Sequence, residues 1–189
     1  MRTAQRVLMR EHLALRAVAR VVAYEAELLL NRQPADLALL AAIRDYIVEF
    51  PDRIHHPKEE DELFRRMRVR DAARCAPILD QLLAEHGAEA TKIGEFDAAL
   101  RRLQDGQAGA AEALGRIAAA YAAFLNHHID LENGEAFPLA EKVLTEEDWE
   151  AIDAAFAAND DPLAGGAANS RFDNLHRRIL ALAAPPPGL

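Results

Sequence analysis

The run IHHPKEEDELF, residues 54–64, returns in altered form as HHIDLENGEAF, residues 127–137. In the first, His55 and Glu59 stand four apart; in the second, His128 and Glu132 do. A phenylalanine follows each glutamate by five, Phe64 in one run and Phe137 in the other. A spacing of four stacks imidazole and carboxylate on one helix face, so both runs read as helices presenting the same pair of groups. The alignment leaves His56 and His127 as neighbours turned about 100° off that face. His56 and Glu60 share the same spacing, and the apolar residues that follow (Leu63, Met67) do not choose between the two pairs.

Outward from these runs, apolar residues recur at helical intervals in four long segments. Residues 2–31 carry Leu8, His12, Leu15, Ala19, Val22, Ala26 and Leu29 in one stripe, and Pro34 breaks the pattern. Residues 36–70 carry Leu40, Ile43, Ile47, Phe50 and Ile54 behind Asp36, a suitable N-cap. Pro51 and Pro57 predict kinks there, or else two shorter helices. Residues 72–105 carry Leu79, Leu82, His86, Ala90, Ile93 and Leu100, with Pro77 near the start; residues 108–143 carry Leu114, Ile117, Tyr121, Phe124, His128, Glu132 and Leu139, with a late kink at Pro138. TEEDWEAIDAAF, with Thr145 and Asp148 in a capping pattern, predicts a short fifth helix. NDDPLAGGAANS reads as a loop, RFDNLHRRILAL as a last amphipathic turn or two, and APPPGL as a stop. The expected fold is all-α: an antiparallel up-and-down four-helix bundle over residues 1–145, with residues 146–189 a helical extension of the same domain.

Composition narrows the function. Alanine and leucine dominate the apolar residues and aromatics make up only 6%, which favours helix over sheet. The net charge of −9 leaves no basic face for a nucleic acid, since Arg65, Arg66, Arg68 and Arg70 are flanked by acids and read as a solvated helix end. A single cysteine, Cys75, can build neither a disulfide framework nor a thiolate metal site, which fits a reducing cytoplasm. The N-terminus lacks the apolar stretch of a signal peptide, and no run approaches the ~20 apolar residues of a membrane span. No histidine lies near Cys75 in sequence to support nucleophilic catalysis, and no glycine loop suited to phosphate is present.

Four histidines fall at one height if short turns join antiparallel neighbours. His12 lies 19 residues before the end of the first segment and His55 19 after the start of the second. His55 is 15 before the second turn and His86 14 after it; His86 is 19 before the third and His128 20 after it. At about 1.5 Å per residue, these positions agree within one helical turn. Each histidine sits on or beside its apolar stripe, and imidazoles meeting inside a bundle need polar partners. Four imidazoles with Glu59 and Glu132 form a nitrogen and oxygen donor set without thiolate, suited to iron, manganese or zinc. Six side chains exceed what one ion with an exchangeable position needs; they suit two ions with bridging carboxylates. Glu60, Asp61, Glu62 and Asp130 read as solvated acids, and His176 as a surface residue.

REHLAL, HHPKEEDELF, AEHGAE and HHIDLENGEAFP, in this order along four helices, resemble the hemerythrin-like, or HHE cation-binding, family over roughly residues 1–145. The chain's tail also resembles the ends of bacterial members. The resemblance implies a non-haem di-iron centre in an antiparallel four-helix bundle, with His12 and His55 on one iron, His86 and His128 on the other, Glu59 and Glu132 as bridges, and a bridging oxygen species. The pattern departs from that of oxygen carriers, which have two histidines four apart on the third helix. Here Ala90 stands four after His86, and Glu89, three after, is placed to reach inward. The last helix also shortens the carriers' histidine-to-carboxylate interval by one.

Three functions follow as expectations. A di-iron protein would bind or sense dioxygen or another small oxidant beside an apolar lining that includes Tyr121, Phe124 and Ile93. An enzyme using the same ions would act on peroxide or nitric oxide, or oxidise iron. A bundle without metal would be structural or would bind a partner, and the sequence names no protein partner.

Overall fold

The structure, a computed structural model, describes residues 2–157, 175 and 177–179. The loop expected at NDDPLAGGAANS, His176 and most of the C-terminal turn lie outside the described residues. Among the described residues there is helix and no strand. Helix α1 is Thr3–Leu30. It ends at Asn31, and Arg32 turns the chain with a positive φ of 59° two residues before Pro34. Rod α2, residues 37–70, runs through the α-helix Leu37–Glu49, a π-turn Pro51–His55, the short α-helix His56–Lys58, a second π-turn Glu59–Phe64 and the α-helix Arg65–Arg70. Asp36 caps it as expected, accepting from Leu39 N at 2.9 Å. Helix α3 is Ala72–Gln104, capped by Asp71. Rod α4, residues 110–143, joins Ala110–Leu131, a π-turn Glu132–Ala136 and Phe137–Val143. Helix α5 is Glu146–Ala155, begun by the capping box of Thr145 and Asp148.

The kinks expected at prolines take a specific form. Pro51 opens the first π-turn, Pro57 lies between the two in α2, and Pro138 falls just after the turn in α4. Proline lacks the N–H for the ordinary helical ladder. A shift to the wider i→i+5 register lets the rod continue past the missing bond. His55 N accordingly bonds Phe50 O at 3.1 Å, and Phe137 N reaches back to Glu132 O. Each rod stays continuous, so the alternative of two short helices in place of α2 is not what forms.

The apolar residues gather in two clusters. The first joins Leu15–Leu29 of α1, Leu39–Phe50 of α2, Ile93–Leu100 of α3 and Leu114–Ile129 of α4, with Leu175 and Ile179 against it. The second joins Ala4–Leu8, Leu63–Met67, Cys75–Leu82 and Ala136–Ala140, and α5 closes it with Trp149, Ile152 and Phe156. Along α1 the second cluster precedes the first, along α2 the first precedes the second, and the order alternates again in α3 and α4. Helices α1 and α4 pack most extensively. A Cβ at Gly115 would lie 3.2 Å from Ala26 O, so the missing side chain permits that approach. The arginine run is paired as a solvated helix end: Arg66 with Glu62, Arg68 with Asp80 and Arg70 with Asp148.

Candidate metal centre

Between the two apolar clusters lies a layer of buried polar groups. Glu11 and His12 come from α1, His55, His56 and Glu59 from α2, His86 and Glu89 from α3, and His128 and Glu132 from α4. Glu59 and Glu132 have no solvent exposure at all. In one group, ligand atoms of His12, His55, Glu59 and Glu132 all lie within 4.8 Å of one another; in a second, those of His56, His86 and His128 do; in a third, those of Asp52, His56 and Glu89 do. The six residues singled out from sequence are therefore brought together, and His56 joins them. His127 faces solvent.

His56 breaks the symmetry of the two runs. The alignment of the two runs sets His55 against His128 and favours His55, with His56 and Glu60 as the alternative. Rod α2 instead has neighbours on both sides, and consecutive residues about 100° apart straddle its inward line. His55 turns toward α1, where its ring meets His12 edge-on at 5.2 Å; His56 turns toward α3, where it stacks on His86 at 4.0 Å. A double histidine on a rod flanked by two histidine-bearing helices was the available signal. Glu60 does not pair with His56; it lies against His86 Nδ1.

The rings are oriented from outside. His55 Nδ1 lies 2.7 Å from Glu11 Oε2, His86 Nδ1 2.7 Å from Glu60 Oε1, His128 Nδ1 2.8 Å from Glu85 Oε2 and His12 Nδ1 3.0 Å from Asn133 Oδ1. Such acceptors take the Nδ1 proton and leave the Nε2 lone pair pointing inward, the arrangement that fixes metal-binding histidines. Sequence reasoning assigned Glu60 to solvent and did not identify Glu11, Glu85 or Asn133, because acceptors on other elements are joined only by packing.

The inward atoms fit a cation. His86 Nε2 and His128 Nε2 face each other at 3.0 Å, yet both rings spend their Nδ1 proton on a carboxylate. Burial opposes a charge on His128, but Glu132 and Glu85 outweigh it and raise the ring to about 9. Without a metal His128 therefore keeps a second proton that its Nε2 shares with His86; a cation would take that proton's place. His12 Nε2 and all four carboxylate oxygens of Glu59 and Glu132 are buried without a hydrogen-bond partner. They are spaced instead like ligands: His12 Nε2 is 3.2 Å from Glu132 Oε2, His128 Nε2 3.2 Å from Glu132 Oε1 and His55 Nε2 3.5 Å from Glu59 Oε2. Donors about 2.1 Å from a shared ion lie about 3.0–3.4 Å apart. Leaving five such atoms unpaired would be costly without a cation.

Charge gives the same indication. Burial raises the Glu59 carboxyl well above its usual range, and the charge of Glu132 adds to the effect. Burial also opposes ionisation of Glu132, but His12, His128 and His86 outweigh it and hold that carboxyl well below the usual range. Without a cation the pair keeps a proton; cations would let both carboxylates ionise. Burial lowers His55, and it lowers His56 further with help from the neighbouring imidazoles, so both favour the neutral, ligating form.

Glu89 reaches inward, as its position three after His86 allowed. Its Oε1 accepts from the Tyr121 hydroxyl at 2.5 Å, and its Oε2 stands 3.3 Å from His56 Nε2. Burial pushes this carboxyl up to about 7. Ala90, four after His86, is exposed, so Glu89 is the inward-facing donor that follows His86.

No helix among the described residues is long and apolar enough to cross a membrane. No curated protein and no solved structure matches the chain. The family model described as the hemerythrin HHE cation-binding domain matches residues 3–140, which takes in every buried histidine and glutamate of the centre. On that match, and with a donor set arranged to hold cations, the chain belongs to the hemerythrin HHE cation-binding domain family.

Proposed function

We propose that the chain holds two iron ions and uses them to bind or sense dioxygen or a related small oxidant. His12 and His55 would serve one ion, His56, His86 and His128 the other, with Glu59 and Glu132 shared between them and Glu89 beside the second. The observation that carries this is the convergence of Nε2 atoms and partnerless carboxylate oxygens between rings whose Nδ1 atoms are held from outside. In this reading the four rods run up and down in antiparallel order, which the alternating sequence of the two apolar clusters supports. Iron supplies redox chemistry when bound; the chain's residues orient the rings, exclude water and balance charge. A cytoplasmic location is part of the proposal, supported by the lone, buried Cys75. Elemental analysis of protein purified without chelator should find iron, and oxygen admitted to the reduced protein should give a reversible absorption change. Protein free of iron, manganese and zinc would overturn the reading.

One observation favours an enzyme as second reading. Tyr121, buried and bonded to Glu89, places an O–H within one hydrogen bond of the donor cluster, where it could deliver a proton. Peroxide turnover by the iron-loaded protein, lost in Tyr121→Phe at unchanged iron content, would support it; no turnover in the wild type would remove it.

A further inference from the structure

The buried centre needs a route for its ions. Among the described residues, two surface cavities are lined by no member of the donor cluster, and a further one is. One, about 270 Å³, lies among Arg74, Pro77, Ile78, Gln81, Glu135 and Leu139; the other, about 190 Å³, includes Lys92 and Arg116. The further one, about 380 Å³, opens between α2 and α3 and has His56 and His86 in its wall. We propose that this cavity is the port through which a divalent cation enters the centre, with Asp52 and Glu60 as its receiving carboxylates. The proposal rests on the reading of the centre as a metal site and adds how the site is filled.

Charge, space and continuity support it. Asp52 and Glu60 line the cavity, and no lysine or arginine does. Two carboxylates at the mouth raise the local concentration of cations and repel anions. On the α3 side the wall is Leu83, Gly87 and Ala90, flanking His86 by three before, one after and four after. A Cβ on Gly87 would meet nothing within 4 Å, so the helix leaves open space where a larger side chain would stand. Donors continue inward from the mouth. Asp52 Oδ1 lies 3.9 Å from His56 Nδ1, and His56 Nε2 lies 3.3 Å from Glu89 Oε2. Asp52, His56 and Glu89 could hold a cation by themselves, and His56 also belongs to the inner group with His86 and His128. A cation received by Asp52 thus meets, within one side chain, a residue shared with the final site.

The test is the rate of metal uptake. Metal-free wild type, Asp52→Asn, Gly87→Leu and a control, Ala120→Leu in the Lys92 cavity, are mixed anaerobically with ferrous ion. Bound metal is followed in time and at equilibrium. Asp52→Asn should load at least about threefold more slowly at low salt, with a shallower dependence on ionic strength. Gly87→Leu, a substitution that favours helix, should slow loading on the order of tenfold by filling the passage. Both should reach wild-type stoichiometry, and the control should match wild type in rate. Wild-type rates in both port variants would overturn the port and leave the metal centre intact. Reduced stoichiometry at an unchanged rate would also overturn it, by making the cavity wall part of the final site. No uptake by the wild type would overturn the centre and the port together.

Discussion

Glu11 touches no ion in the arrangement proposed, yet it fixes His55 by accepting its Nδ1 proton and is itself held by Lys58 at 3.3 Å. Replacing it with glutamine keeps the shape and weakens the acceptor. Metal affinity should fall about 10–100-fold, as for other outer acceptors, with helix content unchanged. Competition with a chelator measures this; unchanged affinity would remove Glu11 from the site. The two histidines of α2 make a sharper pair. His55→Ala and His56→Ala should each leave about one ion of two, by elemental analysis, if they serve different ions. Loss of both ions in either variant would instead tie the two histidines to one shared unit. The repeated run made His55, Glu59, His128 and Glu132 legible, because spacing by four survives in any helix. His56 was left open, since the repeat sets it opposite Ile129, its spacing to Glu60 equals that of His55 to Glu59, and only the neighbours of α2 show that both histidines turn inward.

Among the elements, the π-turns show where pattern reading stopped. Two of the three begin at Glu59 and Glu132, and in α4 the phenylalanine five residues later donates its N–H to the glutamate carbonyl. The interval of five noticed in the sequence is thus the period of a π-turn, but a side-chain pattern does not state which hydrogen-bond register the backbone adopts. Gly134 lies in the third turn with an ordinary helical φ and room for a Cβ. Gly134→Ala should therefore stabilise the protein by about 0.5–1 kcal/mol in urea unfolding, through the unfolded chain. Destabilisation would mean that the turn itself requires glycine. The fifth helix was legible to its first residue, because capping boxes are local. Thr145→Ala should cost about 1 kcal/mol. Arg70 holds the Asp148 carboxyl down to about 2, with Thr145 assisting. A depressed carboxyl contributes above the ordinary aspartate range and loses that contribution as pH falls through the folded value. The gap between wild type and Asp148→Asn should be constant from neutral pH to about 5 and close toward pH 2.

For the whole molecule, counting residues between turns put four histidines at one level, and they do meet in one layer. Rise per residue is a rigid property of helices, so boundaries read from sequence were accurate enough. Which acceptors surround that layer could not be counted in the same way, since Glu85 reaches His128 and Asn133 reaches His12 across separate rods. Metal binding should weaken as pH falls below about 6.5, where free imidazole protonates and ceases to be a ligand. Full occupancy near pH 4 would contradict the donor set. The polar layer has a mechanical consequence as well. It forms a hydrophilic waist across the long axis, with grease above and below and little to stitch the halves except the rods themselves. Cations clasping residues from all four rods would make the halves open as one body. Stripped of them, the molecule should behave as two foldons, with amides around Val18–Val22 and those around Leu79–Leu82 exchanging hydrogen at separate rates that merge when the metal returns.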